Sequence, residues 1–422
     1  MDDRLAFLWE AAASPEKTET IPDELPVQCS FAHRAPNAEG EVELQYWPAR
    51  VGCGSPPEQL TVFILGNPGL LNYYLPFLHH LHALLPPTHA ILSTSHIGHS
   101  PSLPAPPTPL DLPQQLEAKV ELVSALRSTL DAWHIQAILG SGSDSSASDH
   151  DAGVGGAGAS PPRLDLMGHS VGAWMLCEVM KRLPGDVGRG FMLFPTVGWI
   201  SESWNGRTLW GPTWAKWFNV PASRHPIPTS VPTSAPISVY VRTVADNVSA
   251  HLPVASPSSA ENFPHPIFHR PLRPLLPILS PLLRPILPLT FLPPTTLTLL
   301  RSPRTISACL ALARSEMAHI REPDLAWFAA QAESPEVGVH GVWSGAHGDG
   351  WVGREGDLVR SQLGGQEGGR VRVVHGVPHA FCLTQEHSEL VAEIIAHWIN
   401  PSIPTPPSET SVEPPELAPV PM

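Results

Sequence analysis

Arg163-Leu164-Asp165-Leu166-Met167-Gly168-His169-Ser170-Val171-Gly172 runs into Ala173-Trp174-Met175-Leu176-Cys177-Glu178-Val179-Met180-Lys181-Arg182-Leu183, and Pro184-Gly185 follows. The first five residues have the length and alternation of a strand. The later segment is helix-prone, basic at its end and stopped by Pro-Gly. Between them stands a G-x-S-x-G pentapeptide, Gly168 to Gly172. Strand, sharp turn, helix is the setting of a nucleophile elbow, in which strained backbone angles lift the serine hydroxyl above the sheet. A glycine two residues to either side lets strand and helix approach without Cβ clashes. Ser170 is therefore the candidate nucleophile. The competing reading is a serine that only caps a helix after a buried strand, and the choice rests on what else the chain supplies.

A nucleophilic serine in this setting needs an acid and then a histidine later in the chain. Gly338-Val339-His340-Gly341-Val342-Trp343 reads as a strand and runs into Ser344-Gly345-Ala346-His347-Gly348-Asp349-Gly350-Trp351. A carboxylate in a Gly-rich loop straight after a buried strand suits the acid, Asp349. Arg370-Val371-Arg372-Val373-Val374 reads as the last strand and leads to His375-Gly376-Val377-Pro378-His379-Ala380-Phe381. A helix over about Glu386–Trp398 closes the domain. His379 sits between last strand and last helix, where the base is needed. It would take the proton of Ser170, with Asp349 holding the imidazole tautomer. His375 is the rival base and Asp357 the rival acid, the latter on what reads as a following helix.

Leu60-Thr61-Val62-Phe63-Ile64-Leu65 is an apolar run of strand length ending in Gly66-Asn67-Pro68-Gly69. The loop after this third strand should supply one oxyanion donor, and the residue after the nucleophile the other. Pro68 has no N–H, so the pair would be the backbone N–H groups of Asn67 and Val171.

These pieces resemble the lipid droplet-associated hydrolase family of α/β-hydrolases. The resemblance rests on Gly66-Asn67-Pro68-Gly69 with Tyr73, Tyr74 and Phe77; Ser95-His96-Ile97-Gly98-His99; the Gly168–Gly172 elbow; and Leu193-Phe194-Pro195-Thr196 with Ser201-Glu202-Ser203-Trp204-Asn205-Gly206. Gly348-Asp349-Gly350-Trp351 and His379-Ala380-Phe381 complete it, so it covers about 26–400. It implies a serine hydrolase fold, association with neutral-lipid droplets and ester-lipid substrates. The chain departs from the family pattern by an extra residue before Asp349 and by a Ser/Gly-rich insertion before the elbow strand.

Composition narrows the partners. A net charge of −14 over 422 residues argues against nucleic acid, which needs basic patches. The five cysteines, Cys29, Cys53, Cys177, Cys309 and Cys382, are odd in number and widely spaced. They form neither a metal pattern nor a disulfide framework. No metal and no cofactor are expected, and reduced thiols suit a cytosol-facing protein. Met1-Asp2-Asp3-Arg4 is followed by no apolar core of signal length, so secretion is not expected.

The expected organisation is a mobile or helical leader over 1–25 and an α/β-hydrolase domain over 26–400, mostly parallel sheet flanked by helices. Three strands and a first helix, Tyr73 to Leu85, fall in 26–100. A helix from Gln114 to Trp133 carries Leu116, Val120, Val123 and Leu126 at helical spacing. Residues 140–162 read as a disordered loop, 197–335 as an apolar Trp/Pro-rich cap insertion, and 401–422 as a Pro-rich disordered tail.

The cap carries the surface signals. Trp199, Trp204, Trp210, Trp214 and Trp217 crowd into nineteen residues, and tryptophan favours membrane–water boundaries. Pro264–Leu300 is rich in Pro, Leu and Ile, and its only formal charges are Arg270, Arg273 and Arg284. The prolines exclude a long regular helix, and the charges interrupt any transmembrane span. A broken, basic, apolar segment suits a lipid monolayer, although a lid packed over the active site has the same composition. The expected function is hydrolysis of neutral-lipid esters, such as sterol esters or acylglycerols, through an acyl-serine on lipid droplets and the endoplasmic reticulum surface. Acyl transfer, or a structural or regulatory droplet role with little turnover, are the alternatives.

Overall fold

The computed structural model describes residues 1–13, 26–50, 54–141, 160–210, 293–333, 337–345 and 349–404. Eight strands form one sheet in the order β1-β2-β4-β3-β5-β6-β7-β8. They are β1 Val27–His33, β2 Gly40–Trp47, β3 Gln59–Ile64, β4 His89–Thr94, β5 Arg163–His169, β6 Arg189–Leu193, β7 Gly338–Ser344 and β8 Val371–Val374. β2 pairs antiparallel with β1 and with β4. Every other pairing is parallel. This is an α/β-hydrolase fold.

A parallel strand buried on both faces needs apolar residues at successive positions, and β3 meets that demand. Leu60, Val62 and Ile64 join Leu164 and Leu166 in the core on one face of the sheet, while Phe63 and Leu65 join Met167, Phe191 and Leu193 on the other. The first face is covered by α3 (Leu112–Ser141), α4 (Val171–Arg182) and the short helix that follows β7 (Glu355–Gln362). The second is covered by α2 (Leu75–Leu84) and the last helix (Gln385–Ile399), which pack on each other. Fully burying a side chain such as Phe63 contributes about 1.5–3 kcal/mol.

Several expectations need correction. The stretch 26–100 holds four strands, because His89–Thr94 is a fully buried strand with no polar alternation to announce it. The first helix begins at Leu75, after a separate 3-10 turn at Leu71–Tyr73. The helix expected to end at Trp133 continues to Ser141. The leader, expected to be mobile or helical, is helical in its described part and needs no correction. Helix α1 (Phe7–Ala13) packs on the core through Leu8, and Arg4 bonds Glu121 of α3. Its remainder, 14–25, lies outside the described residues, as do 142–159 of the expected loop and 405–422 of the tail.

Between β6 and β7 the described residues form α5 (Trp204–Trp210), α6 (Pro294–Arg301), α7 (Pro303–His319) and α8 (Leu325–Glu333). Residues 211–292 lie outside the described set, including Trp214, Trp217 and most of Pro264–Leu300. Trp204 is exposed, whereas Trp199 lies under the guanidinium of Arg354, 4.1 Å from its ring centre. The end of Pro264–Leu300 is not the exposed apolar surface its composition suggested. Leu299 is buried in the core, and Thr296 Oγ1 lies 3.0 Å from the Tyr73 hydroxyl. Among the described residues no helix is long and apolar enough to cross a membrane.

Candidate active site

The sheet register brings the ends of five parallel strands, β3, β5, β6, β7 and β8, to one level. Ile64 pairs with Gly168, His169 with Leu193, and Ser344 with Val374. Ligand sites in open α/β sheets form at such carboxyl ends. The turn after β5 carries Ser170 at φ 56° and ψ −123°, a left-handed backbone that costs a non-glycine residue about 1–3 kcal/mol. The surroundings impose it. The Ser170 N–H donates to the Leu193 carbonyl at 3.0 Å, and α4 begins at the next residue. A Cβ on Gly172 would stand 2.2 Å from the Ile64 carbonyl oxygen, so only glycine lets α4 start this close to β3.

His379, in the loop after β8, places Nε2 at 2.9 Å from Ser170 Oγ. Its Nδ1 lies 2.6 Å from Asp349 Oδ2, and the second Asp349 oxygen accepts the Trp351 N–H at 2.9 Å. A carboxylate oxygen only accepts, so Nδ1 carries the ring proton and Nε2 is free to accept from the serine hydroxyl. Such an arrangement can pass a proton from hydroxyl to imidazole and back to a leaving group. The structure thus brings Ser170, His379 and Asp349 together across 209 and 30 residues of chain. It leaves out both rivals. His375 is exposed in the turn after β8, and Asp357 is an exposed residue paired with Arg360 on the helix Glu355–Gln362.

The loop after β3 lies against the elbow, since a Cβ on Gly66 would come within 3.0 Å of the Ser170 Cβ. Val171 is the first residue of α4, so its N–H has no intrahelical acceptor and points out of the helix N-terminus. Neither this N–H nor that of Asn67 donates to another described backbone group. Val171 adjoins Ser170 and Asn67 adjoins Gly66, so both candidate oxyanion donors belong to segments in contact at the elbow.

Several residues that shape the site had no role in the sequence reading. His96 Nε2 donates to the Leu65 carbonyl at 3.0 Å, and His99 Nδ1 to the Pro68 carbonyl at 2.7 Å. Burial pushes the His96 imidazole well below its ordinary range and that of His99 down to about 4. Both are thus neutral props under the candidate oxyanion loop. Their spacing belonged to the family resemblance, but nothing in the sequence says which carbonyls they meet. The Asn67 side-chain amide donates to the Cys309 carbonyl at 2.9 Å and to Glu316 Oε1 at 3.0 Å, both on α7. Burial raises Glu316 to about 7, against the lowering effect of the Asn67 bond and of His379. Glu355, whose carboxyl takes the Gly353 N–H at 2.9 Å, is likewise raised to about 7 by burial. Among the described residues no cluster of His, Cys, Asp and Glu could hold a metal ion.

The family model described as lipid-droplet associated hydrolase matches residues 57–143 and 157–257. The lipid droplet-associated hydrolase of Mus musculus is 34% identical over 156 residues, 36% of this chain and 42% of that protein. The Homo sapiens protein of the same name is 30% identical over 153 residues, with the same shares. The match therefore spans less than half the length of these relatives. Among solved structures, carboxyl esterase 2 of the fungus Tuber melanosporum is similar over 96% of this chain and 99% of its own, at 14% identity and a TM-score of 0.44. Strand order and the elbow carry the fold assignment without it. The family match takes in the Gly66–Gly69 loop and the elbow together, and over that part the chain is similar to the lipid droplet-associated hydrolases, on an α/β-hydrolase fold.

Proposed function

We propose that this chain is a serine hydrolase that cleaves carboxylic esters of neutral lipids, sterol esters or acylglycerols, on lipid droplets and the cytosolic face of the endoplasmic reticulum. The observation that carries the reading is the unbroken chain Ser170 Oγ, His379 Nε2, His379 Nδ1, Asp349 Oδ2 at 2.9 and 2.6 Å. In this reading Ser170 Oγ attacks the ester carbonyl as its proton passes to His379 Nε2. The backbone N–H groups of Asn67 and Val171 hold the oxyanion, and the loss of one such donor typically costs about 10²–10³ in rate. The oxyanion collapses, the C–O bond to the alcohol breaks, and the alcohol leaves with the proton from His379. Water then gives its proton to His379, adds to the acyl-serine, and releases the fatty acid and the serine hydroxyl.

The names of the mouse and human relatives support the droplet setting and hydrolysis, and the ester-lipid substrate follows from that setting and from the triad geometry. By composition, the exposed Trp204 and the basic, apolar stretch 264–292 with Arg270, Arg273 and Arg284 suit a monolayer surface. The test is fatty-acid release from phospholipid-coated droplets of cholesteryl oleate or trioleoylglycerol by the purified protein, beside Ser170→Ala. Release by the wild type alone is expected. No release from either emulsion, with hydrolysis of short soluble esters retained, contradicts the lipid part of the reading.

A further inference from the structure

His169 precedes the candidate nucleophile and is buried in a network that the triad does not use. Its Nε2 lies 2.9 Å from the backbone carbonyl oxygen of His379. A carbonyl only accepts, so Nε2 carries the proton and Nδ1 is left as an acceptor. The Tyr74 hydroxyl, 2.7 Å from Nδ1, must then be the donor there. The Tyr74 oxygen in turn accepts the Gly66 N–H at 3.3 Å. Direction is thereby fixed along the whole chain, from Gly66 N–H to Tyr74, from Tyr74 to His169, and from His169 to the His379 carbonyl. The His169 ring stays neutral, because burial, reinforced by the neighbouring His379, pushes it well below the ordinary imidazole range.

The three loops joined in this way are those of the candidate oxyanion donor, the nucleophile and the base, and the acid loop after β7 stands outside the network. Gly66 adjoins the candidate oxyanion donor Asn67, His169 adjoins Ser170, and the carbonyl reached is that of the candidate base itself. The ring centres of His169 and His379 lie 5.0 Å apart, and Phe381 and Tyr74 pack edge-on against His169 at 5.3 and 5.6 Å. A histidine kept only to fill space would need neither a fixed tautomer nor a partner on the base loop. A leucine or phenylalanine would fill that space without polar demands.

We propose that His169 and Tyr74 are positioning residues that tie the oxyanion loop, the elbow and the base loop into one unit and set the reach of His379 toward Ser170. The inference rests on the serine-hydrolase reading above. Neither residue touches a reacting atom. Their effect is geometric, and displacement of a reacting group by about 1 Å can cost about 100-fold in rate.

The test separates the two ends of the His169 ring. In His169→Gln the amide reaches the former Nε2 position and can still donate to the His379 carbonyl. In His169→Asn it reaches only the Nδ1 position, keeping Tyr74 and losing the base loop. Both leave a polar group in the same burial, so a merely structural role moves them alike. The readouts are the second-order rate of labelling by a fluorophosphonate probe, kcat and KM on a short soluble ester, and the melting temperature. His169→Gln should label within about threefold of wild type, and His169→Asn about 10- to 100-fold more slowly, with KM unchanged. Tyr74→Phe removes one oxygen and keeps the ring packing. It should label about tenfold more slowly, and it serves if both His169 variants fail to fold. Equal labelling of the Gln and Asn variants, or wild-type labelling of Tyr74→Phe, overturns the positioning role alone. A wild-type protein that is not labelled overturns the serine-hydrolase reading and this one with it.

Discussion

Asn67 and Glu316 are joined by a 3.0 Å hydrogen bond across 249 residues of sequence. One residue belongs to the loop after β3, beside the nucleophile. The other belongs to α7, which the chain reaches only after leaving β6. The side chain of a candidate oxyanion residue is therefore held by a helix from the expected cap. Its partner is a carboxylic acid so buried that its proton is held to about pH 7.

That proton has a thermodynamic consequence. Glu316 titrates near 4.5 without burial and near 7 in the fold. Between those values the native state holds a proton that the unfolded chain has lost, so stability falls as pH rises through the window, by up to about 3 kcal/mol. Glu316→Gln removes the titration and keeps an oxygen to accept from Asn67. Its melting temperature should gain on that of wild type between about pH 5 and about pH 8. A difference that does not change with pH contradicts the assignment. Glu355, raised in the same way, is common to both proteins and cancels.

The base and the acid make separate predictions. His379→Ala should lower kcat/KM on a soluble ester by orders of magnitude. Asp349→Asn should cost about 10⁴-fold by favouring the wrong imidazole tautomer. His375→Ala should stay within a few-fold of wild type, because His375 is exposed in the turn after β8. An essential His375 beside a dispensable His379 would mean that the wrong histidine has been assigned.

Gly172 tests the elbow as a piece of packing. An alanine Cβ there would stand 2.2 Å from the Ile64 carbonyl oxygen and 2.5 Å from that of Leu65, both backbone atoms of the sheet region. Gly172→Ala should destabilise by about 1–3 kcal/mol or prevent folding, as overpacking does. Thermal melting reads this directly. An unchanged melting temperature would show that strand and helix are not so close.

The candidate site was legible where local pattern and chemistry coincide. The pentapeptide between strand and helix, the acid after β7 and the histidine after β8 are all marked by their own flanks. The strand β4 was not, because His89–Thr94 is buried on both faces and shows no alternation. The end of α3 was missed because the helix runs on past Trp133 through Ile135, Ile138 and Leu139, which are exposed and carry no core-facing signal. The props of the site were illegible for a different reason. Tyr74 with His169, His99 with Pro68 and Asn67 with Glu316 are partners 31 to 249 residues apart, and no local pattern encodes a tertiary contact.

Attachment to droplets rests on composition and makes its own prediction. Arg270, Arg273 and Arg284 without an acid favour anionic headgroups. A fluorescent fusion lacking 264–292 should become diffuse in the cytosol, while one lacking 405–422 should stay on droplets. Leaving 293–300 in place preserves the buried Leu299 and the Thr296 contact to Tyr73. Retention on droplets after the first deletion would move the anchor to the tryptophans of 199–217.

The central claim is that Ser170 is an activated nucleophile, and covalent labelling by a fluorophosphonate probe tests it without a substrate guess. The wild-type protein should take up one probe per chain, at Ser170 by peptide mapping. Ser170→Ala should take up none while melting at nearly the same temperature, since alanine fits the turn. A folded wild-type protein that is not labelled, or labelling of another serine that survives Ser170→Ala, would contradict the account.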